Sequence, residues 1–163
     1  RSYYLLKDYS SANDAAKELV SKKGISTDDK SIGFLVLGKS QQLANDCNAA
    51  ITSFKSASAI NKTSWGAESR YETANCYFSL GNLSAAEKAA MATIKETGSY
   101  DFWVTRSYIL LGDIFMKQSD YFNAKATYES VAVNSAIPEL KSEAQRKLDA
   151  AIAEEKEHSK IGN

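Results

Sequence analysis

The stretch LGKSQQLANDCNAAITSFKSA, Leu37 to Ala57, recurs in outline as LGDIFMKQSDYFNAKATYESV, Leu111 to Val131. In each, a Leu-Gly pair (Leu37-Gly38, Leu111-Gly112) is followed at equal offsets by an alanine (Ala50, Ala124), an aromatic (Phe54, Tyr128) and a small apolar residue (Ala57, Val131). Such recurrence is the mark of a chain built by stacking one small unit, each unit burying its apolar face only against its neighbours. Stacked units build surfaces more readily than catalytic centres.

Around this stretch, Ile32, Leu35, Val36, Leu37 and Leu43 fall at mostly helical intervals, and Asn45-Asp46 breaks that helix and caps the next. The second helix carries Ala50, Ile51, Phe54 and Ala57 on one face. Helix, short turn, helix is the unit. The middle copy has Ala74 in place of Gly38, then Tyr77, a turn at Gly81-Asn82, and Ala86 and Ala90 on the following helix. The third has Gly112, Phe115, a turn at Ser119-Asp120, Tyr121, Ala124 and Tyr128. The small residues lie 36 and 38 positions apart. A fragment of an earlier unit opens the chain, with a turn at Lys7-Asp8-Tyr9 and a helix lined by Ala12, Ala16 and Leu19. Two tryptophans fix the register: Trp65 precedes Ala74 by nine residues and Trp103 precedes Gly112 by nine.

The residue types follow from close helix approach. Gly38, Ala74 and Gly112 let the paired helices touch, Ala50, Ala86 and Ala124 do so from the facing side, and Phe54, Tyr77, Phe115 and Tyr128 fill the spaces between. A mid-helix glycine costs about 1 kcal/mol relative to alanine, so the contact must recover that, and Gly112→Leu is expected to overpack the seam. Pro138 suits the first turn of a helix, where its missing N–H does no harm. From there Leu140, Ala144, Leu148, Ala151 and Ile152 form an apolar stripe, with Lys141, Glu143, Arg146 and Asp149 expected outward. This reads as a final helix capping the last unit, with Glu154 to His158 a solvated, fraying end.

Twenty basic and twenty acidic residues in 163 give zero formal charge. A nucleic-acid partner, whose binding draws on phosphate neutralisation, is therefore not expected. No apolar run approaches the roughly 20 residues of a membrane helix. The opening Arg1-Ser2-Tyr3-Tyr4 has neither an initiator methionine nor a signal pattern and reads as an excised or processed piece. Cys47 and Cys76 are too few for a disulfide framework or a zinc site and read as small buried hydrophobes, with a Cys47–Cys76 bridge the lesser alternative. His158 is the one histidine and sits in the expected frayed end. No nucleophile has a histidine partner, no phosphate loop occurs, and no metal-ligand cluster is present, so no enzyme, metal or cofactor is expected.

The Leu-Gly pair, the Gly/Asn/Ser plus Asp/Asn turn, and the alanine, aromatic and small residues that follow resemble the tetratricopeptide repeat, whose period is about 34 residues. The resemblance implies an all-α, right-handed superhelical solenoid of antiparallel helix pairs with a C-terminal capping helix. It covers roughly Arg1 to Val131, with the last helix as cap, and implies one domain, 1–163, divided into a partial repeat at 1–24, repeats at 28–60, 64–97 and 101–134, and a capping helix at 137–158. The longer spacing falls in the links Asn61 to Ser64 and Glu96 to Tyr100, and the prolines common at repeat ends are missing there. Such irregular repeats look similar to envelope tetratricopeptide proteins of Gram-negative bacteria, which implies a periplasmic or outer-membrane-associated place, with the cytoplasm as alternative.

By that resemblance, a protein or peptide partner is expected in a concave groove lined by Leu35, Lys39 and Gln42, by Tyr71, Asn75 and Phe78, and by Ile109, Asp113 and Met116. Asn75 and Gln42 would orient it by hydrogen bonds. The alternative is that some of these side chains merely pack. Some family members clamp a carboxylate tail. Here Asn75 and Lys39 match, but Asp113 stands where a cation is required and Leu35 and Ile109 occupy other clamp positions, so that activity is not expected. Trp65 and Trp103 read as caps of the core between units, and Tyr100, Phe102 and Trp103 form a secondary aromatic patch. The expected function is a non-enzymatic interaction module or scaffold. The alternatives are a regulatory part of a larger enzyme or sensor, and a structural or self-assembly element of the bacterial envelope.

Overall fold

The computed structural model describes residues 9–60, 64–97 and 101–161. These form the helices α1 (Tyr9–Ser21), α2 (Thr27–Leu43), α3 (Cys47–Ile60), α4 (Ser64–Ser79), α5 (Leu83–Thr97), α6 (Asp101–Lys117), α7 (Tyr121–Asn134) and α8 (Pro138–Ile161), with no strand among the described residues. Lys7 and Asp8 of the expected first turn, and most of both inter-repeat links, lie outside the described residues.

The turn inside each pair is written three times in the same chemistry. Seven positions after each small seam residue the backbone enters the left-handed region, at Asn45 (φ 60), Gly81 (φ 73) and Ser119 (φ 59). The next residue's N–H reaches back to a carbonyl five residues earlier: Asp46 to Gln41 at 2.9 Å, Asn82 to Tyr77 at 3.0 Å, Asp120 to Phe115 at 2.9 Å. These bonds satisfy carbonyls that a helix end leaves without partners. The side chain of that same residue then caps the next helix, Asp46 accepting from the Ala49 N–H at 3.0 Å, Asn82 from Ala85 at 3.2 Å and Asp120 from Asn123 at 3.1 Å.

The chain falls into two compact units, residues 1–89 and 90–163, divided within α5. In the first, α2 is buried on several sides. Val36 and Leu37 pack with Ala12 and Ala16 of α1, while Leu35 joins Cys47, Ala50, Ile51, Phe54 and Ala57 of α3 and Cys76 of α4. Gly38 faces the Phe54 ring so closely that a Cβ there would meet ring carbons at 2.5 and 2.6 Å. In the second unit, Gly112 stands against Tyr128 in the same way, at 2.3 and 2.7 Å. The seam between paired helices thus lies where the Leu-Gly recurrence locates it.

Helix α8 covers the second unit. Leu140, Ala144 and Ala151 are buried with Ile109, Ala124, Tyr128 and Val131, and Leu148 packs on the edge. Three expectations for this helix are corrected. Ile152 is 48% exposed and leaves the stripe, and Glu143 turns inward to pair with Arg106 of α6 at 3.0 Å. The segment expected to fray stays helical through Ile161 because α7 holds it. Glu154 accepts from the Tyr121 hydroxyl at 3.4 Å, Glu155 pairs with Lys125, and the His158 ring lies 5.7 Å from that of Tyr121.

Candidate functional site

The expected groove positions separate by physical role. Leu35, Tyr71 and Ile109 are 4, 6 and 3% exposed and are core residues, so they offer a partner no surface. Their apolar side chains face inward because the first helix of each unit is packed by a helix on more than one side.

In the first unit, the polar positions of α2 and α4 converge on one carboxylate that the groove reading did not name. Glu72 Oε2 accepts from Gln42 Nε2 and from Asn75 Nδ2, each at 3.2 Å, while its Oε1 lies 3.8 Å from Lys39 Nζ. Lys39 also pairs with Glu68. Glu68 and Glu72 stand four apart, on one face of α4. That spacing opposite Lys39 was the available signal, but the ion pair joins two helices and no local pattern shows it. These side chains are only 13 to 20% exposed, so the charges attract each other in a weakly screened setting. Two carboxylates against one ammonium leave the cluster negative. Both amides spend an N–H on Glu72, which orients them and leaves their carbonyl oxygens as acceptors. Phe78 is half-buried at the same end of α4.

In the second unit the corresponding positions are covered. Ile109 and Met116 pack with Leu140 and Ala144 of α8. Asp113 Oδ1 accepts from the Tyr128 hydroxyl and from Lys147 Nζ, both at 2.6 Å. Burial first, and the bond to Asp113 second, push the Tyr128 phenol well above its ordinary range. Here the capping helix occupies what the resemblance reserves for a partner.

Of the secondary patch, Tyr100 lies outside the described residues; Phe102 is exposed and stacks edge-on against half-buried Trp103, with centroids 4.8 Å apart. Trp65 packs against the core of its own unit. Cys47 and Cys76 are free thiols buried in one cluster. Burial first, then the hydrogen bond with Cys47 and the nearby charge of Glu72, push the Cys76 thiol far up, which disfavours its thiolate. Among the described residues, no group of three or more acidic, cysteine or histidine side chains could hold a metal, and no helix is long and apolar enough to cross a membrane.

No family model matches the sequence, and no curated protein matches it. Among solved structures, the crystal structure of MamA, a tetratricopeptide-like helical protein, superposes with a TM-score of 0.66. The match covers 98% of this chain and 95% of that one at 20% identity. The fold is a tetratricopeptide-like helical repeat. Within the two units α2 packs with α3 and α6 with α7, and α8 covers the second.

Proposed function

We propose that this tetratricopeptide-like chain is a non-enzymatic protein-interaction module that holds a basic, donor-rich peptide segment on the face shared by α2 and α4. One observation carries the reading: Lys39, Gln42, Glu68, Glu72 and Asn75 form a single preorganised cluster with net negative charge. Lysine or arginine side chains and peptide N–H groups complement it, and an acidic segment is repelled. The likeness to MamA supports the fold that such modules use. An envelope location joins this proposal on the sequence resemblance alone, and a lipoprotein signal upstream in the gene is its test.

Selection from a random peptide display library tests the binding mode. The wild-type chain should enrich sequences rich in lysine and arginine, and Glu68→Gln/Glu72→Gln should lose that enrichment while keeping its helical circular dichroism. Enrichment that survives the double substitution, or that favours acidic sequences, refutes it.

A further inference from the structure

The two cysteines of the chain, Cys47 and Cys76, sit on the two sides of one seam. Cys47 is the first residue of α3, Cys76 lies near the end of α4, and both belong to the same buried cluster of the first unit. The Cys76 S–H donates to the Cys47 sulfur, and the Gln42 amide donates to the Cys76 sulfur. Both cysteines are free thiols, so two thiols stand in contact across two helices.

Packing does not select sulfur at either position. Repeat register sets Gly38 over Ala74 and Ala74 over Gly112. Cys47 then corresponds to Leu83 and Tyr121, each the first residue of its helix, and Cys76 to Ser40 and Ile114. Elsewhere in the repeat these positions carry a branched aliphatic, an aromatic or a hydroxyl. At this seam alone both sides are cysteine, and the two touch. A cysteine that only fills space needs no second thiol beside it, whereas a disulfide does.

The two sulfurs are not equivalent. Cys47 is 8% exposed and Cys76 0%. Cys47 also stands in the first turn of its helix, between exposed Asp46 and exposed Asn48, where a helix opens more readily than along its middle. Burial first, with the Cys47 contact and the Glu72 charge, keeps the proton on Cys76. An external oxidant therefore meets Cys47 first, and Cys76 lies behind it as the resolving thiol.

We infer that Cys47 and Cys76 are a disulfide-forming pair, a modification site at which a low-molecular-weight disulfide such as oxidised glutathione turns the contact between α3 and α4 into a covalent bond. The Cys47 thiolate attacks one glutathione sulfur, forming a mixed disulfide and releasing the first glutathione thiolate. Cys76 then attacks the Cys47 sulfur, giving up its proton, and the second glutathione thiolate leaves. Two electrons pass from the cysteines to the oxidant, and the two cysteine protons end on the two glutathione thiols. The product staples the α3–α4 seam. It needs no partner on the α2–α4 face, so it stands or falls apart from the proposed function.

The test oxidises the folded full chain with oxidised glutathione in the absence of denaturant, quenches with acid, unfolds in urea with excess N-ethylmaleimide and maps the products by mass. The wild type should lose two hydrogens, take up no alkyl group and yield a Cys47–Cys76 cross-linked peptide. Its melting temperature should rise by roughly 10 °C, the effect of closing a loop of about 30 residues in a chain of this size, and dithiothreitol should reverse the rise. Cys76→Ser should stop at the mixed disulfide, with one glutathione on Cys47, and Cys47→Ser should leave Cys76 unmodified. Should either variant not fold, the wild-type map, with oxidation run with and without urea, still decides. The proposal is overturned if both wild-type thiols are alkylated, if the bridge forms only in urea, if it joins two chains, or if the bridged chain melts lower than the reduced one.

Discussion

Gly112→Ala, normally a mild and favourable change in a helix, should destabilise this protein, and its sign should reverse once Tyr128 is shortened. A new Cβ at Gly112 would lie 2.3 Å from Tyr128 Cε1 and 2.7 Å from both Cδ1 and Cζ, far inside van der Waals contact. The ring cannot step aside, because Tyr128 is 2% exposed and its hydroxyl is tied to Asp113 at 2.6 Å. Overpacking of such a site costs about 1–3 kcal/mol, here at the upper end, while replacing a helical glycine returns about 1 kcal/mol. The net expectation is a loss of about 2 kcal/mol, or roughly 4–8 °C in melting temperature. In a Tyr128→Val background the side chain ends at Cγ, before any of the three clashing atoms. There the same Gly112→Ala should stabilise by about 1 kcal/mol, giving a coupling of roughly 3 kcal/mol. Urea unfolding followed by helical circular dichroism on all four chains measures it. A neutral or stabilising effect in the wild-type background, or the same sign in both, refutes the seam as the reason for glycine.

Three further outcomes follow from the same geometry. Gly81 is at φ +73 with nothing within 4 Å of an added Cβ, so Gly81→Ala should cost about 1–2 kcal/mol through backbone alone, and Ser119→Gly should return a similar amount at the equivalent turn, both read from unfolding midpoints. Lys39→Met strands Glu68 and Glu72 side by side, and urea unfolding at pH 7 should show a loss of about 1–3 kcal/mol. Tyr128 keeps its proton in the folded chain while an unfolded tyrosine loses it near pH 10, so its contribution is whole below that pH and falls above it, by up to about 1.4 kcal/mol per pH unit. Tyr128→Phe should flatten that part of the stability–pH curve, and an unchanged slope above pH 10 would refute the assignment.

Contacts set by local rules were legible in the chain, and contacts set by helix adjacency were not. Asn45, Gly81 and Ser119 could be read as turns because left-handed backbone selects few residues, and Asp46, Asn82 and Asp120 as caps because a short acceptor must follow. Gly38 and Gly112 could be read as a seam because a glycine inside a helix needs a compensating contact. Nothing comparable marks Glu72 as the partner of Lys39, Gln42 and Asn75, since two of those three lie on another helix and surface carboxylates are common. The same reason misplaced Glu143 and Asp113, whose partners Arg106 and Lys147 are remote in sequence.

Repeat register recovers some of this non-local information, because it compares one seam with the next. The middle copy carries Ala74 and Ala90 at the positions where the others carry a glycine and an aromatic, so the two residue types change together along the chain. By the same comparison Asn13, Ser40 and Gln41 stand out against Ile51, Cys76 and Tyr77. A polar residue at a seam that is elsewhere apolar sacrifices burial worth about 1.5–3 kcal/mol per large side chain. A solvated surface position would need no such compensation. Here one of the replacements, Asn13, holds a carbonyl oxygen away from water with no donor among the described residues, a second loss at the same place. The seam beside α1 thus departs from the next one in packing and in hydrogen bonding together, at one and the same residue.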